Sequence, residues 1–279
     1  MKAAAPIVLP NVSERRHVHI INPNAGSKKY YSAAVSAIEK SGDERLESTS
    51  GEHLRSLVSE LFRKDPFAHA IVYGGDGSVY EAVNGIMESG AAATASFSVF
   101  PAGSGNDFST FANDKAGFKK AELNKIDLIS VSHGGKRDYF SNMMNIGFDC
   151  AVVKETYTLK KKPFLKGPAA YIAGVLKVLA VKKTIPAKIK LSGVVSLDKK
   201  APQGDIIEEK NILLTACANG RYCGGGFNAA SLAMLNDGLM DVLIVSGVSR
   251  LTIVRALLSY AKGKYRSFPQ YITFVRTRH

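Results

Sequence analysis

An aspartate set among three glycines is the part of this sequence whose residue types most suggest chemistry. Gly74-Gly75-Asp76-Gly77-Ser78 follows the apolar run His69 to Tyr73, which predicts a buried strand, and precedes a pattern that predicts a helix from Ser78, as its N-cap, to about Glu88. Such glycines let the backbone approach a ligand, and the helix start attracts anions. Because an aspartate there would repel phosphate unless a metal or water mediates, Asp76 is a candidate for handling Mg²⁺ on a nucleotide. A tight capped turn is the alternative.

Two further loops of the same kind follow predicted strands. Residues 97–100 form a short apolar run and lead into Pro101-Ala102-Gly103-Ser104-Gly105-Asn106-Asp107-Phe108. The run His17 to Ile21 leads into a loop that begins with Asn22. Because the carboxyl ends of parallel strands share one edge of a sheet, we expect the three loops to lie together there. None of them is a Walker A or G-x-G-x-x-G loop.

The remaining patterns predict an α/β N-terminal domain with a parallel sheet, followed by a β-rich, sandwich-like C-terminal domain. Up to about Leu128 strands alternate with helices, and this alternation is typical of a sheet covered on both faces. After Leu128 the chain turns β-rich, beginning with a hairpin whose turn is His133-Gly134-Gly135-Lys136. We place the domains at residues 1–130 and 131–279. The predicted helices are 31–40, 52–64, 78–88 and 169–181, and the later strands are 129–131, 138–142, 187–191, 211–218 and 240–245.

The composition favours an anionic partner in a reducing compartment. Lysine and arginine number 37 against 24 acidic residues, giving a formal net charge of +13. This charge suits a nucleic acid, an acidic membrane or phosphate ligands, and does not by itself choose among them. Three cysteines without C-x-x-C spacing indicate reduced thiols in a cytoplasmic protein. The first ten residues are too brief an apolar stretch for a signal peptide, and no apolar run reaches the ~18 residues of a membrane span.

Four motifs in order resemble those of the diacylglycerol kinase and sphingosine kinase type lipid kinases, most closely the soluble bacterial members. They are residues 74–85, 101–108, 219–227 and 233–241. The resemblance implies an ATP-dependent lipid kinase that transfers the γ-phosphate to a hydroxyl of diacylglycerol or a related lipid. NAD kinase, which shares the Gly-Gly-Asp-Gly loop, and a non-catalytic lipid- or nucleotide-binding regulator are the alternatives. The last two motifs favour the lipid kinase.

The resemblance also implies roles for particular residues. Asp76 would act through Mg²⁺ and water, with Asp127 as a second catalytic aspartate of the same network. Ser48 would contact the nucleotide, with the adjacent Thr49 as a competing assignment. Glu81 matches a family glutamate, although a solvated helix residue is an alternative for it, as a turn residue is for Asp127. The implied nucleotide-binding positions are Asn22, Ser48, Gly74, Gly75, Asp76, Gly77, Ser78, Glu81, Gly103, Ser104 and Asn106.

The same resemblance implies a structural Mg²⁺ away from the phosphates. Asp237 would bind it together with the main-chain carbonyls of Met234 and Leu239; a plain Asn-Asp-Gly turn is the alternative. Family members end with a strand carrying Asp-Gly-Glu, whose aspartate is the proposed base for the lipid hydroxyl. No Asp-Gly-Glu follows Asp237 here. We expect that this last strand is missing, because the chain is a fragment or because this member lacks the base.

One predicted helix, residues 169–181, suggests contact with a membrane. It places Ile172, Val175, Leu176 and Leu179 on one face and has lysines on both sides, an arrangement that can hold a protein against anionic lipid. An ordinary helix packed on a core is the alternative. We therefore expect a cytoplasmic protein, peripheral to the membrane, that meets its lipid substrate at an anionic surface and binds no nucleic acid. A homodimer is left open.

Overall fold

The computed structural model describes residues 10–23, 28–103, 105–113, 125–160, 168–181, 184–195, 204–253 and 270–278. Its contacts divide the chain into two compact units. The first unit comprises Met1–Asn113 and Leu128–Ser141, and the second comprises Asp114–Asp127 and Asn142–His279.

The first unit is built around a four-stranded parallel sheet in the order β2-β1-β3-β4. Helices alternate with these strands, as the predicted α/β domain requires, because parallel neighbours need crossover connections. The elements are β1 (His17–Ile21), α1 (Lys28–Ser41), β2 (Glu44–Glu47), α2 (Gly51–Lys64), β3 (His69–Gly74), α3 (Asp76–Ser89), β4 (Ser96–Pro101) and α4 (Asp107–Ala112).

Apolar side chains cover both faces of this sheet. On one face Val18 and Val72 pack with Val58 and Phe62 of α2, all with no exposed surface. Burial of each such side chain contributes roughly 1.5–3 kcal/mol. On the other face Ile21 and Tyr73 belong to a cluster with residues of α1. The sheet is thus a rigid support for the loops that follow its strands.

The start of α3 differs from the prediction. Its N-cap is Gly75, without a side-chain capping hydrogen bond, so the predicted N-cap role of Ser78 is wrong. Ser78 instead lies buried in the first turn, against Gly74, where a Cβ would collide with its hydroxyl. The helix can begin early because the extended backbone of Gly75, with φ −104° and ψ −165°, leads directly into it.

The predicted hairpin is present and belongs to the first unit. Strands β5 (Ile129–His133) and β6 (Lys136–Phe140) pair antiparallel around Gly134 and Gly135, whose φ angles of 52° and 76° suit a tight two-residue turn. The amide of Asn84 on α3 fixes β6, because its Oδ1 accepts from Tyr139 N at 2.8 Å and its Nδ2 donates to Tyr139 O at 2.9 Å. The compact units therefore differ from the predicted domains 1–130 and 131–279 at this hairpin.

The second unit is β-rich, in agreement with the predicted sandwich-like domain. Its five main strands are antiparallel in the order β12-β13-β8-β9-β7, and β12 also pairs with β9, so four of them form a closed ring. Two apolar clusters fill the unit. The elements are β7 (Met143–Gly147), α5 (Phe148–Lys160), α6 (Pro168–Val181), β8 (Ile185–Val195), β9 (Gly204–Ala218), β10 (Tyr222–Cys223), β11 (Phe227–Asn228), β12 (Met240–Ser246) and β13 (Ile272–Thr277).

The predicted apolar face of α6 is divided between core and surface. Leu179 is buried and Val175 packs against the core, so the core-packing interpretation holds for both, whereas Leu176 is 59% exposed. The side chain of Ile172 and Lys161, Lys162, Lys166, Lys182 and Lys183 lie outside the described residues. Among the helices described, none has the length and apolar character needed to cross a membrane.

Candidate functional site

The glycine loops after β3 and β4 touch backbone to backbone at the carboxyl edge of the parallel sheet. The Ala102 N–H donates to the Gly74 carbonyl at 2.9 Å. A Cβ added to Gly75 would lie 2.7 Å from the Cα of Gly103, and a Cβ on Gly103 would collide in turn with Gly75. Glycine is therefore required at both positions. This contact confirms that these two loops lie together at one edge.

Asp76 joins the two loops through its carboxylate. Its Oδ1 accepts a hydrogen bond from Phe108 N at 2.9 Å, and its Oδ2 accepts one from Asp107 N at 3.1 Å. These two amides are at the N-terminus of α4, so Asp76 caps that helix from across the loop pair. Since an ionised carboxylate has about four lone-pair sites, Asp76 keeps acceptor capacity after both bonds form. Among the described residues no cationic side chain pairs with Asp76, and the two amides hold its carboxylate in a fixed orientation.

Asn106 shapes the second loop. It is the one non-glycine residue with positive φ among the described residues, with φ 53° and ψ 35°. Its side chain turns back on Gly103, accepting from the Gly103 N–H at 2.8 Å and donating to the Gly103 carbonyl at 2.8 Å. Asparagine is one of the few residues that enter this conformation routinely. Ser104, which the sequence assigns to the nucleotide, lies outside the described residues.

The two candidates near the end of β2 differ in accessibility. Ser48 is 1% exposed, and its hydroxyl donates to the Ile21 carbonyl at 3.2 Å. Thr49 is exposed, and its hydroxyl lies 2.9 Å from His53 Nδ1. Of the two competing assignments, Thr49 is the one with a hydroxyl at the surface. Nearby, Asn22 N donates to the Tyr73 carbonyl at 3.2 Å, and residues 24–27 of its loop lie outside the described residues.

Glu81 lies in a charge network centred on Arg55 of α2. The sequence motifs do not indicate this role for Arg55. Arg55 Nε lies 2.7 Å from Glu81 Oε2, and its Nη1 lies 3.1 Å from Asp138 Oδ1. A third carboxylate, Glu88, is 3.3 Å away, and the guanidinium lies 5.6 Å from the centre of the Tyr80 ring. Glu81 is therefore an ion-paired residue rather than a freely solvated one.

The hairpin adds one more group to this network. His133 Nε2 lies 3.0 Å from Asp138 Oδ2. This hydrogen bond is the largest cause that lowers the pKa of Asp138, and Arg55 lowers it further. Arg55 thus connects α2, α3 and the β5–β6 hairpin through three carboxylate side chains.

Asp127 is a residue of the second unit, where it holds the turn that contains Asp237. Its N–H donates to the Leu235 carbonyl at 2.6 Å, and its Oδ2 accepts from Gly238 N at 2.7 Å. Asn219 Nδ2 donates to the Asp127 carbonyl at 2.9 Å. The structure therefore brings Asp127 together with the Asp237 turn, and its membership of a network with Asp76 stays a prediction.

Asp237 is paired with an arginine. Its Oδ2 lies 2.6 Å from Arg276 Nη2, and its Oδ1 accepts from Leu239 N at 3.1 Å. Arg276 Nε also contacts Asp241 Oδ1 at 2.6 Å. Among the described residues no group of three histidine, cysteine or acidic side chains is placed to bind a metal. Because the guanidinium of Arg276 already pairs with Asp237 and would repel a second cation beside it, this set of groups does not fit the Mg²⁺ predicted for Met234, Asp237 and Leu239.

The motif at residues 219–227 forms a small hairpin, β10–β11. Gly224, Gly225 and Gly226 have φ angles of 63°, 88° and 102°, which other residues rarely adopt. At the start of the motif, a Cβ on Gly220 would collide with the Asn142 side chain. The motif glycines therefore have a conformational reason that is independent of any ligand.

The chain thus contains a parallel sheet with joined Gly-Gly-Asp-Gly and Gly-Asn-Asp loops and an antiparallel β unit. Residues 16–134 match the family model of the diacylglycerol kinase catalytic domain. Residues 142–279 match that of the YegS C-terminal NAD kinase beta sandwich-like domain. The chain therefore belongs to the diacylglycerol kinase type family of lipid kinases.

Individual relatives agree with this assignment. A Shewanella frigidimarina protein named "Probable lipid kinase YegS-like" is 29% identical over 231 residues, which cover 79% of this chain and 68% of the relative. One from Stenotrophomonas maltophilia with the same name is 30% identical over 184 residues, 63% of this chain and 55% of the relative. Matches to these relatives thus span roughly half to two thirds of their length.

Solved structures share the fold. A Bacillus anthracis structure named as a diacylglycerol kinase covers 94% of this chain and 84% of its own, with a TM-score of 0.56 and 18% identity. A second structure from that organism covers 99% of this chain and 85% of its own, with a TM-score of 0.60 and 18% identity. At this identity the likeness shows the fold alone.

Proposed function

We propose that this protein is an ATP-dependent lipid kinase that transfers the γ-phosphate of ATP to a hydroxyl of diacylglycerol or a related lipid. The observation that carries the proposal is the joined loop pair, in which a half-buried Asp76 is oriented by two main-chain amides at the carboxyl edge of a parallel sheet. Open α/β sheets bind ligands at that edge. The names of the relatives, "Probable lipid kinase YegS-like", support the same reaction.

The loops supply what phosphoryl transfer requires, namely positioning and charge stabilisation. The start of α3, with Gly75 as its N-cap, offers main-chain N–H groups to the phosphates. Bound Mg²⁺ would offset phosphate charge, and the free lone pairs of Asp76 suit it for contact with the metal through water. The positions that would bind the nucleotide are Asn22, Ser48 or Thr49, Gly74, Gly75, Gly77, Ser78, Glu81, Gly103, Ser104 and Asn106.

The acceptor hydroxyl needs a base. The sequence suggests two catalytic aspartates, Asp76 and Asp127, and their surroundings indicate other roles for both. Asp76 is oriented toward two amides, and Asp127 accepts from the Gly238 N–H of the Asp237 turn. We propose that Asp127 acts by fixing that turn and that proton removal depends on a group other than these two. Asp76 retains the charge that binding of a metal-nucleotide complex requires.

We also propose that the protein is cytoplasmic and meets its substrate peripherally, at an anionic membrane surface. The formal charge of +13 supports attraction to anionic lipid. Four exposed apolar side chains of α5 and α6 support insertion at the interface, and nearby residues 160–162, 166, 182 and 183 are lysines in the sequence. These four are Val153, Tyr157, Leu176 and Val181, with 58%, 71%, 59% and 57% exposure.

Activity is tested with γ-labelled ATP and Mg²⁺, offering a lipid panel and NAD in separate reactions. Label in the organic extract is the result we expect. Label in NADP would instead identify an NAD kinase, and ATP binding without labelled product would favour the non-catalytic regulator. A longer chain that includes any natural downstream residues is assayed in parallel, because no Asp-Gly-Glu follows Asp237 in this sequence.

Membrane contact is tested separately by sedimentation with vesicles. Binding to phosphatidylglycerol vesicles should exceed binding to phosphatidylcholine vesicles, and serine at both Tyr157 and Leu176 should weaken it. Leu251→Ser is the matched control, because Leu251 is equally exposed, at 63%, outside α5 and α6. Equal binding to both lipids, or an equal loss in the control, would contradict the proposed surface.

A further inference from the structure

Arg276 is a buried cation placed between two buried carboxylates of the second unit. It lies on β13 directly opposite Asp241 on β12 in the antiparallel register. Asp241 has no exposed surface, and Arg276 is 8% exposed. Because neighbouring side chains of paired strands lie on the same face, the register itself brings these two charges together.

The guanidinium contacts both carboxylates at once. Its Nε lies 2.6 Å from Asp241 Oδ1, its Nη2 lies 2.6 Å from Asp237 Oδ2, and Nη2 also approaches the Leu232 carbonyl at 3.4 Å. Arginine presents its N–H donors in a rigid planar fork, which suits simultaneous recognition of two acceptors. Charged hydrogen bonds of this length are the strong kind.

The charge of the cluster explains why a cation is needed. Two buried carboxylates without a cation would each carry a large desolvation penalty and would repel one another. Asp241 Oδ2 is buried and has no hydrogen-bond partner among the described residues, so its carboxylate depends on Arg276. Asp237 Oδ2 faces the guanidinium at 2.6 Å, and this positive charge would repel a second cation placed beside the same carboxylate.

We propose that the guanidinium of Arg276 is the structural cation of this unit and stands in place of the divalent ion implied for the Asp237 turn. The turn of residues 236–239 is then held by an internal charge, through Asp237, and by the Asp127–Gly238 hydrogen bond. Its stability does not depend on free Mg²⁺. This inference concerns folding and holds whether or not the protein is a lipid kinase.

The first test is thermal unfolding of the unmodified protein without nucleotide, with EDTA and with excess Mg²⁺ or Ca²⁺. We expect the melting temperatures to agree within about 1 °C. A decrease in EDTA that Mg²⁺ reverses, and that disappears in Asp237→Asn, would overturn the proposal. A decrease that persists in Asp237→Asn would place the metal elsewhere and leave Arg276 as the cation of this turn.

The second test removes the charge while keeping an unbranched apolar stem. Arg276→Met should lower the melting temperature by roughly 5–15 °C, because two buried carboxylates lose their partner. Arg278→Met is the matched control, since Arg278 is exposed at the end of the same strand, and it should melt like the unmodified protein.

A third variant separates charge from packing. Adding Asp237→Asn and Asp241→Asn to Arg276→Met should recover most of the lost melting temperature, because a neutral cluster needs no cation. Should the Arg276→Met variant not fold, this triple variant should still fold. No recovery would show that Arg276 acts by packing alone and would overturn the proposal.

Discussion

Asp76 and Asp237 occupy the same dipeptide, Asp-Gly, and the family resemblance implies Mg²⁺ near both, yet their surroundings differ. Asp76 accepts hydrogen bonds from two neutral main-chain amides at the start of α4. Asp237 faces the guanidinium of Arg276 at 2.6 Å. Neutral donors orient a carboxylate and leave its charge in place. An arginine orients the carboxylate and also neutralises its charge. The charge of Asp76 is therefore not neutralised by a cationic side chain among the described residues, whereas the charge of Asp237 is paired within the fold.

The largest effect is expected where the loop that carries Asp76 meets its neighbour. Gly75→Ala should lower the free energy of unfolding by about 3 kcal/mol or more, or separate the two loops and abolish ATP binding, because its Cβ would lie 2.7 Å from Gly103 Cα. Gly77→Ala is the structural control, since its Cβ would have no neighbour within 4 Å. Chemical denaturation compares the stability of the two variants, and ATP titration compares Gly75→Ala with the unmodified protein. Equal destabilisation by the two variants would show that the loop contact is unimportant.

Substitution of the two aspartates should lower the free energy of unfolding by different amounts. Asp237→Asn leaves a buried arginine with one carboxylate and should cost about 2–4 kcal/mol. Asp76→Asn replaces one of two carboxylate acceptors by a donor and should cost about 1–2 kcal/mol. The cost at Asp76 exceeds that of an ordinary loop substitution, because the carboxylate caps α4. Denaturation midpoints measure the stability of the two variants. A larger loss in Asp76→Asn than in Asp237→Asn would contradict the proposed difference between the two aspartates.

Arg55 provides a partly exposed counterpart to Arg276. Its side chain is 23% exposed and contacts Glu81, Glu88 and Asp138. Because solvent screens this network, Arg55→Met should cost about 1–3 kcal/mol, less than Arg276→Met, and the cost should shrink at high salt. Unfolding at low and high ionic strength measures this. A salt-independent cost would mean that Arg55 acts by packing, as its contact with Tyr80 would allow.

The smallest effect concerns pH and the first unit. Burial, followed by the charges of His17, Arg15 and His19, lowers the pKa of His69 to about 4 from its ordinary 6.5. The unfolded chain therefore binds the proton more readily, so stability from this residue is full above pH 6.5 and is lost as the pH falls toward 4. His69→Gln should flatten the stability profile in that interval. An unchanged slope would assign the dependence to other groups.

The sequence predicted what local pattern can encode. Strand β1 spans His17–Ile21 as expected, and the glycines after β3 and β4 indicated a shared edge because strand direction follows from alternation with helices. The prediction of Ser78 as the N-cap of α3 was wrong, because Gly75 begins that helix without a side-chain cap. The hairpin was found from its Gly-Gly turn, but its place in the first unit depends on Asn84.

The contacts of Asp76 and Asp237 could not be predicted from the sequence, for a physical reason. The amides that hold Asp76 lie 31 and 32 residues further along the chain, and Arg276 is 39 residues from Asp237. Such pairs are formed by strand register and loop contact, which have no local signature. An arginine in an apolar strand could have indicated a buried ion pair. Its partner, Asp241, follows only once the register of β12 and β13 is known.

We propose that Asp76, and not Asp237, supplies charge toward a metal-nucleotide complex. The most direct test of this proposal is the part of ATP stabilisation that depends on Mg²⁺, measured as the difference in melting temperature between ATP with Mg²⁺ and ATP with EDTA. We predict that Asp76→Asn loses this difference and that Asp237→Asn keeps it, although Asp237→Asn melts at a lower temperature in both conditions. Loss of the difference in Asp237→Asn, together with its full retention in Asp76→Asn, would contradict this assignment of Asp76.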